Sequence, residues 1–211
     1  MFLLFNIFVQ GAEDFYLLLN LTREKIFVIL EIRRKELFLM KTLALDASSK
    51  STGWAIFDGQ NLEKYGCITA TSSDLYKRIE KMGTELTTIL NENKIDKVII
   101  EDVVPDDVRN NGTVFRALMH LQGHLCMVLN KAGLKAEFII AAHWRKLCGI
   151  KTGAGIKRES LKPKDIEFVK NQFGLNVNDD IADAICIGFA AVGGTIKIPT
   201  SVVLDDGFEF G

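Results

Sequence analysis

Three stretches of the chain place carboxylates where acids are costly. Asp46 ends the apolar run Leu-Ala-Leu-Asp, Glu101 ends Val-Ile-Ile-Glu, and Asp180 and Asp183 open an otherwise apolar helical segment. A carboxylate at the end of a buried strand is expensive unless something pairs with it. Asp180 and Asp183 stand three apart, so they share one helical face. If the two strands are neighbours and the helix packs across them, four carboxylates meet in one cleft. Such a cluster raises its own pKa values unless divalent cations neutralise it. An all-oxygen ligand set suits Mg²⁺ or Mn²⁺ rather than zinc. Two such ions can activate a water and stabilise the leaving oxygen of a phosphodiester.

Each acid has a plainer reading when taken singly. Asp46 before Ala-Ser-Ser suits an Asx turn, and Asp179 or Asp180 suits a helix N-cap. Glu101 could be paired with Arg109. The joint occurrence of these acids in this order is what points to a metal-assisted nuclease.

Elements must then exist to position them. Thr42–Leu45 reads as a buried strand, Gly53–Phe57 as a second after a Ser/Thr/Gly turn, and Leu62–Ala70 as a third. Asp74–Asn91 carries apolar residues at helical spacing, with Asp74 placed to cap it. Lys97–Ile100 is a Val/Ile strand, Thr113–Lys131 a helix, and Ala136–Ile140 a strand after the turn at Gly133. A basic, Gly-containing stretch from Arg145 to Lys164 reads as a loop. Helices follow over Lys164–Gln172 and Asp180–Val192. A three-strand meander followed by alternating helix and strand predicts an α/β fold, a mixed sheet flanked by helices.

Residues 1–39 differ from the rest, being crowded with Phe, Leu and Ile without a sustained period. We expect them to be a non-native upstream extension, with Met40 the true start, or else an N-terminal appendage. The nuclease unit is expected over 40–195, and 196–211 reads as an acidic, aromatic tail, most simply disordered.

A formal charge of −1 argues against coating nucleic acid by bulk positive charge. The charge is nevertheless segregated. Between Trp144 and Lys170 stand Arg145, Lys146, Lys151, Lys157, Arg158, Lys162, Lys164 and Lys170, against three acids. Beside an acidic metal cleft this stretch reads as a phosphate-binding surface, with Lys157, Arg158, Lys162 and Lys164 as its candidate DNA contacts. His120 and His124 have metal-ligand spacing but lack a third ligand, so they read as surface or interface residues. Trp54 and Trp144 read as core. The four cysteines lie far apart without a CxxC pair, which suits reduced thiols in a cytoplasmic setting. No apolar run approaches the roughly 20 residues of a membrane span.

The ordered set resembles the RuvC family of Holliday junction resolvases over nearly all of 40–192. Leu-Ala-Leu-Asp46-Ala-Ser-Ser-Lys-Ser-Thr-Gly53-Trp-Ala-Ile-Phe is similar to the family's first motif, and Tyr65-Gly66-Cys67-Ile68 to its third strand. Val98-Ile-Ile-Glu101-Asp-Val resembles the second acid motif, and Asp180-Ile-Ala-Asp183-Ala184 the closing D-x-A-D-A. Asn110-Asn111-Gly-Thr and Leu121-Gln122-Gly123 resemble the helix that builds the family's dimer. The resemblance implies an RNase H-like mixed five-stranded sheet flanked by helices. It makes Asp46, Glu101, Asp180 and Asp183 metal-binding catalytic acids, with Asp179 the competitor for Asp180. It further implies Mg²⁺, with Mn²⁺ able to substitute, no small-molecule cofactor, and a homodimer that nicks four-way and other branched DNA. Bacterial members carry an aromatic residue three after the second acid, where this chain has Val104. That departure, and the polar Pro105–Thr113 segment, resemble the phage- or prophage-encoded branch, which attacks branched DNA more broadly.

Two other classes compete. Asp-x-Ser-x-x-Ser-Thr-Gly after a strand also resembles the first phosphate motif of actin-like sugar kinases. Those need two such domains and a second glycine-rich phosphate motif, which is absent here. A catalytically silent junction-binding protein is the other, and acids at all the expected places argue against it.

Overall fold

The computed structural model describes residues 40–104, 112–153, 156 and 160–194. The expectations for 1–39, for the tail from 196, for Arg109, and for Lys157 and Arg158 lie outside the described residues.

Five strands form one mixed sheet. They are β1 (Lys41–Asp46), β2 (Ser51–Asp58), β3 (Asn61–Thr69), β4 (Lys97–Glu101) and β5 (Ala136–Ile139), in the spatial order β3-β2-β1-β4-β5. β1, β2 and β3 make an antiparallel meander, whereas β4 and β5 extend the sheet in parallel with β1. The turn between β1 and β2 is tied by Thr52, whose hydroxyl donates to the Ser48 carbonyl at 2.6 Å and accepts from the Ser48 N–H at 3.1 Å.

Both faces of the sheet are covered, so its central strands are apolar throughout rather than alternating with polar residues. Leu43, Leu45, Ile56, Val98 and Ile100 point to the layer of α1 (Leu75–Glu92) and α2 (Gly112–Lys131). Ala44, Ala55, Phe57 and Ile99 point to the opposite layer. That layer holds α3 (Ala141–Leu147), α4 (Lys162–Phe173) and α5 (Asp179–Ala191). Each fully buried Leu or Ile contributes on the order of 2 kcal/mol from the area it removes from water. Asp74 caps α1 as expected, accepting from the Tyr76 N–H at 2.8 Å and the Lys77 N–H at 3.3 Å.

The structure corrects the sequence reading at two places. The stretch expected as a basic loop from Arg145 opens inside a two-turn helix, α3, and α4 begins at Lys162 rather than Lys164. Arg145, counted with the solvent-facing basic residues, is 6% exposed and belongs to the interior. The seven residues of α3 carry too little helical period to separate it from a loop, and nothing local marks Arg145 as buried. Trp144 is fully buried, as expected.

Candidate active site

Strand parity aims the first two carboxylates. Asp46 follows Ala44 by two and Glu101 follows Ile99 by two, so each shares the face of the sheet covered by α5. β1 and β4 run parallel with Leu45 beside Ile100, which brings Asp46 and Glu101 to the same end of neighbouring strands.

α5 supplies the other two. Its N-cap is Asn178, whose side chain accepts from the Ile181 N–H at 3.0 Å. Capping by Asn178 removes the N-cap explanation for Asp179 and Asp180 and leaves both side chains for other partners. The helix crosses β2 so closely that a Cβ on Gly53 would lie 1.9 Å from the Asp180 carbonyl oxygen. Gly53 is the register partner of Asp46 across β1 and β2. Further along, a Cβ on Gly188 would meet the Phe57 ring at 2.4 Å, so α5 lies against the sheet over most of its length.

Asp183 is the buried member, 8% exposed. Its Oδ2 lies 3.7 Å from Arg145 Nη2, while its Oδ1 is buried without a hydrogen-bond partner. Burial pushes its carboxyl up to about 9, and the charges of Asp46, Asp165 and Glu101 add to the rise against the pull of Arg145. Glu101 Oε2 accepts from the Trp144 indole at 3.0 Å, and the Glu101 carbonyl accepts from the Gln122 amide at 3.0 Å. Asp180 accepts from the Ser51 hydroxyl, which in turn sits 3.0 Å from the Cys67 thiol. Burial raises the pKa of that thiol.

Asp179 points elsewhere. It pairs with Lys162, whose hydrogen bond holds the Asp179 carboxyl below its usual range. The structure thus gathers Asp46, Glu101, Asp180 and Asp183 at one end of the sheet and sends Asp179 to the start of α4. Among the described residues no three of these acids close into a finished cation cage. Glu101 leans on Trp144, Asp180 on Ser51 and Asp183 on Arg145. Of the expected DNA contacts, Lys162 is engaged by Asp179 and Lys164 is exposed on the first turn of α4.

The sequence reading missed Ser51, Trp144, Arg145 and Asp165 as neighbours of the acids. Only Asp165 carried a signal, being an acid at the core-facing position of α4, one turn before buried Val169.

No family model matches the chain. Among curated proteins, it is 27% identical over 158 residues to the crossover junction endodeoxyribonuclease RuvC of Ehrlichia ruminantium (strain Welgevonden), covering 70% of this chain and 95% of that one. The protein of the same name from Ehrlichia chaffeensis (strain ATCC CRL-10679 / Arkansas) is 24% identical over 156 residues, covering 72% and 97%. Over these lengths the chain is similar in sequence to RuvC proteins. Its fold agrees: RuvC from T. thermophilus in complex with a Holliday junction substrate superposes with a TM-score of 0.60 at 12% identity, over 73% of this chain and 93% of that one. The sheet order and the helix layers are those of an RNase H-like fold. No helix among its described residues is long and apolar enough to cross a membrane.

Proposed function

We propose that the protein is a structure-selective DNA endonuclease that nicks four-way and other branched junctions by divalent-metal-dependent phosphodiester hydrolysis, working as a homodimer. The observation that carries the reading is the buried Asp183, which lies within the field of the Asp46 and Glu101 charges and has one carboxylate oxygen unpartnered. An orphaned carboxylate oxygen inside a group of like charges is costly without a cation, and the donors are all oxygen. The residues therefore fit a hard divalent ion. Asp46, Glu101, Asp180 and Asp183 would hold it, Mg²⁺ by preference with Mn²⁺ able to substitute. When bound, the metal supplies an activated water and neutralises charge on the phosphate.

The chain's own residues do the rest. Glu101 and Asp183 are oriented by Trp144 and Arg145, and Asp180 by Ser51. Lys164 and Lys162 on α4, with Lys157 and Arg158 before it, are proposed to follow the DNA backbone. The nuclease unit is taken as 40–195. Val104 stands where the resemblance implies an aromatic residue, which favours broader selectivity for branched DNA.

The test is incubation with synthetic four-way, three-way and linear DNA, with and without Mg²⁺, mapping the nicks. Paired nicks near branch points that need the metal are expected. Equal cutting of linear DNA, or full activity in excess chelator, would overturn the reading.

A further inference from the structure

Two consecutive residues of the short helix α3 each reach a different carboxylate of the site. Trp144 is fully buried and donates its indole N–H to Glu101 Oε2 at 3.0 Å. Arg145 lies with its guanidinium carbon 4.2 Å from the Trp144 ring centroid, so the two side chains are stacked as one unit. The guanidinium is fixed from behind by fully buried Asp165 on α4. Nε donates to Oδ1 at 3.2 Å and to Oδ2 at 3.1 Å, and Nη2 donates to Oδ2 at 2.9 Å. The same Nη2 is 3.7 Å from Asp183 Oδ2. A forked, planar cation held by one carboxylate has little freedom left, so it presents a fixed charge to the second.

We infer that α3 is a bracket in which Trp144 and Arg145, the latter locked by Asp165, act as positioning residues that orient Glu101 and Asp183 toward the cation. This rests on the cation reading proposed above. Glu101 comes from β4 and Asp183 from α5, so their relative orientation depends on what bridges the two elements. α3 touches both carboxylates. Arg145 takes up Asp183 on Oδ2 and leaves Oδ1, the oxygen without a partner, as the one to face an ion. Asp165 has a second task, because it keeps Arg145 at 3.7 Å rather than in full contact with Asp183. Without Asp165 the guanidinium would close on Asp183 in competition with the ion.

The test uses the full chain and Mn²⁺ as the probe, its binding followed by electron paramagnetic resonance without DNA. Trp144→Phe keeps the buried ring and removes only the N–H. Asp165→Asn keeps the shape of α4 and removes the charge that restrains Arg145. Partners that orient metal ligands are typically worth about 10- to 100-fold in metal affinity. Each variant is therefore expected to weaken Mn²⁺ binding about tenfold or more. For Trp144→Phe, metal-free binding to a four-way junction should be unchanged, and the nicking rate should return toward wild type at saturating Mn²⁺. That separation of metal affinity from maximal rate is one a merely structural tryptophan would not produce.

Arg145→Lys keeps the buried charge without the fork, and serves if Asp165→Asn does not fold. It too should weaken Mn²⁺ binding. Wild-type Mn²⁺ affinity in folded Trp144→Phe together with either of the other two overturns the bracket while leaving the cation site standing. Absence of Mn²⁺ binding by the wild type overturns the cation site itself, and the bracket with it.

Discussion

A Cβ on Gly53 would lie 1.9 Å from the carbonyl oxygen of Asp180 and 2.5 Å from its carbonyl carbon. The obstacle is backbone on both sides, strand β2 against the first turn of α5, so no side chain can move aside. Gly53 is also the register partner of Asp46. The glycine therefore sets how closely the α5 carboxylates approach those of the sheet.

Gly53→Ala should accordingly damage both stability and function. Overpacking costs about 1–3 kcal/mol or more, and here the backbone of α5 must shift to admit the methyl, so the melting temperature should fall by at least several degrees. The displaced α5 would carry Asp180 and Asp183 away from Asp46 and Glu101. Junction nicking is expected to fall by at least about 100-fold in a folded variant. Circular dichroism melts and a nicking assay run together check this, and near-normal nicking would show that the approach is not needed.

Asp46→Asn and Glu101→Gln should abolish nicking while junction binding stays intact or tightens slightly, since each removes a negative charge facing phosphate. Gel-shift titration in the absence of metal measures the binding. Parallel loss of binding and cutting in folded variants would make these acids structural.

Asp183 links metal and pH. Its folded pKa of about 9 exceeds the ordinary 3.8. An acid raised in the folded state is deprotonated first in the unfolded chain, so the metal-free protein should lose stability as pH climbs from about 4 toward about 9. Below that window both states hold the proton and the penalty vanishes. A cation binds the ionised form and expels the proton. The melting-temperature gain on adding Mg²⁺ should therefore grow with pH across the same window. Differential scanning fluorimetry in EDTA and in Mg²⁺ at several pH values reads this directly, and a pH-independent gain would contradict it.

Replacing Lys157, Arg158, Lys162 and Lys164 together with Ala should flatten the salt dependence of junction binding. The expected change is about 0.9 log–log units for each of the four that neutralises a phosphate. Lys162→Ala alone should contribute less than Lys164→Ala, because Asp179 already engages Lys162. An unchanged slope in the fourfold variant would return this stretch to ordinary solvated surface.

The sequence by itself determined the sheet and its acids. Val-Ile-Ile-Glu101 and Leu-Ala-Leu-Asp46 are legible because a strand buried on both faces must be apolar, so an acid at its end stands out. The helix of Asp180 and Asp183 is legible for the same reason. Period and capping also located α1, α2 and α5 to within two residues. What only the tertiary structure decided is which neighbours those acids have. Asp179 and Asp180 are adjacent acids in one first turn, and local pattern cannot choose between them. The choice follows from α5 lying on Gly53, which turns Asp180 toward Ser51 and leaves Asp179 to Lys162. Arg145 reads as one more surface cation in a basic stretch, since its burial depends on Asp165, 20 residues away, and on Asp183 beyond that. A long-range ion pair leaves no periodic trace in sequence, because either partner alone is an ordinary charged residue, and only packing brings the two together.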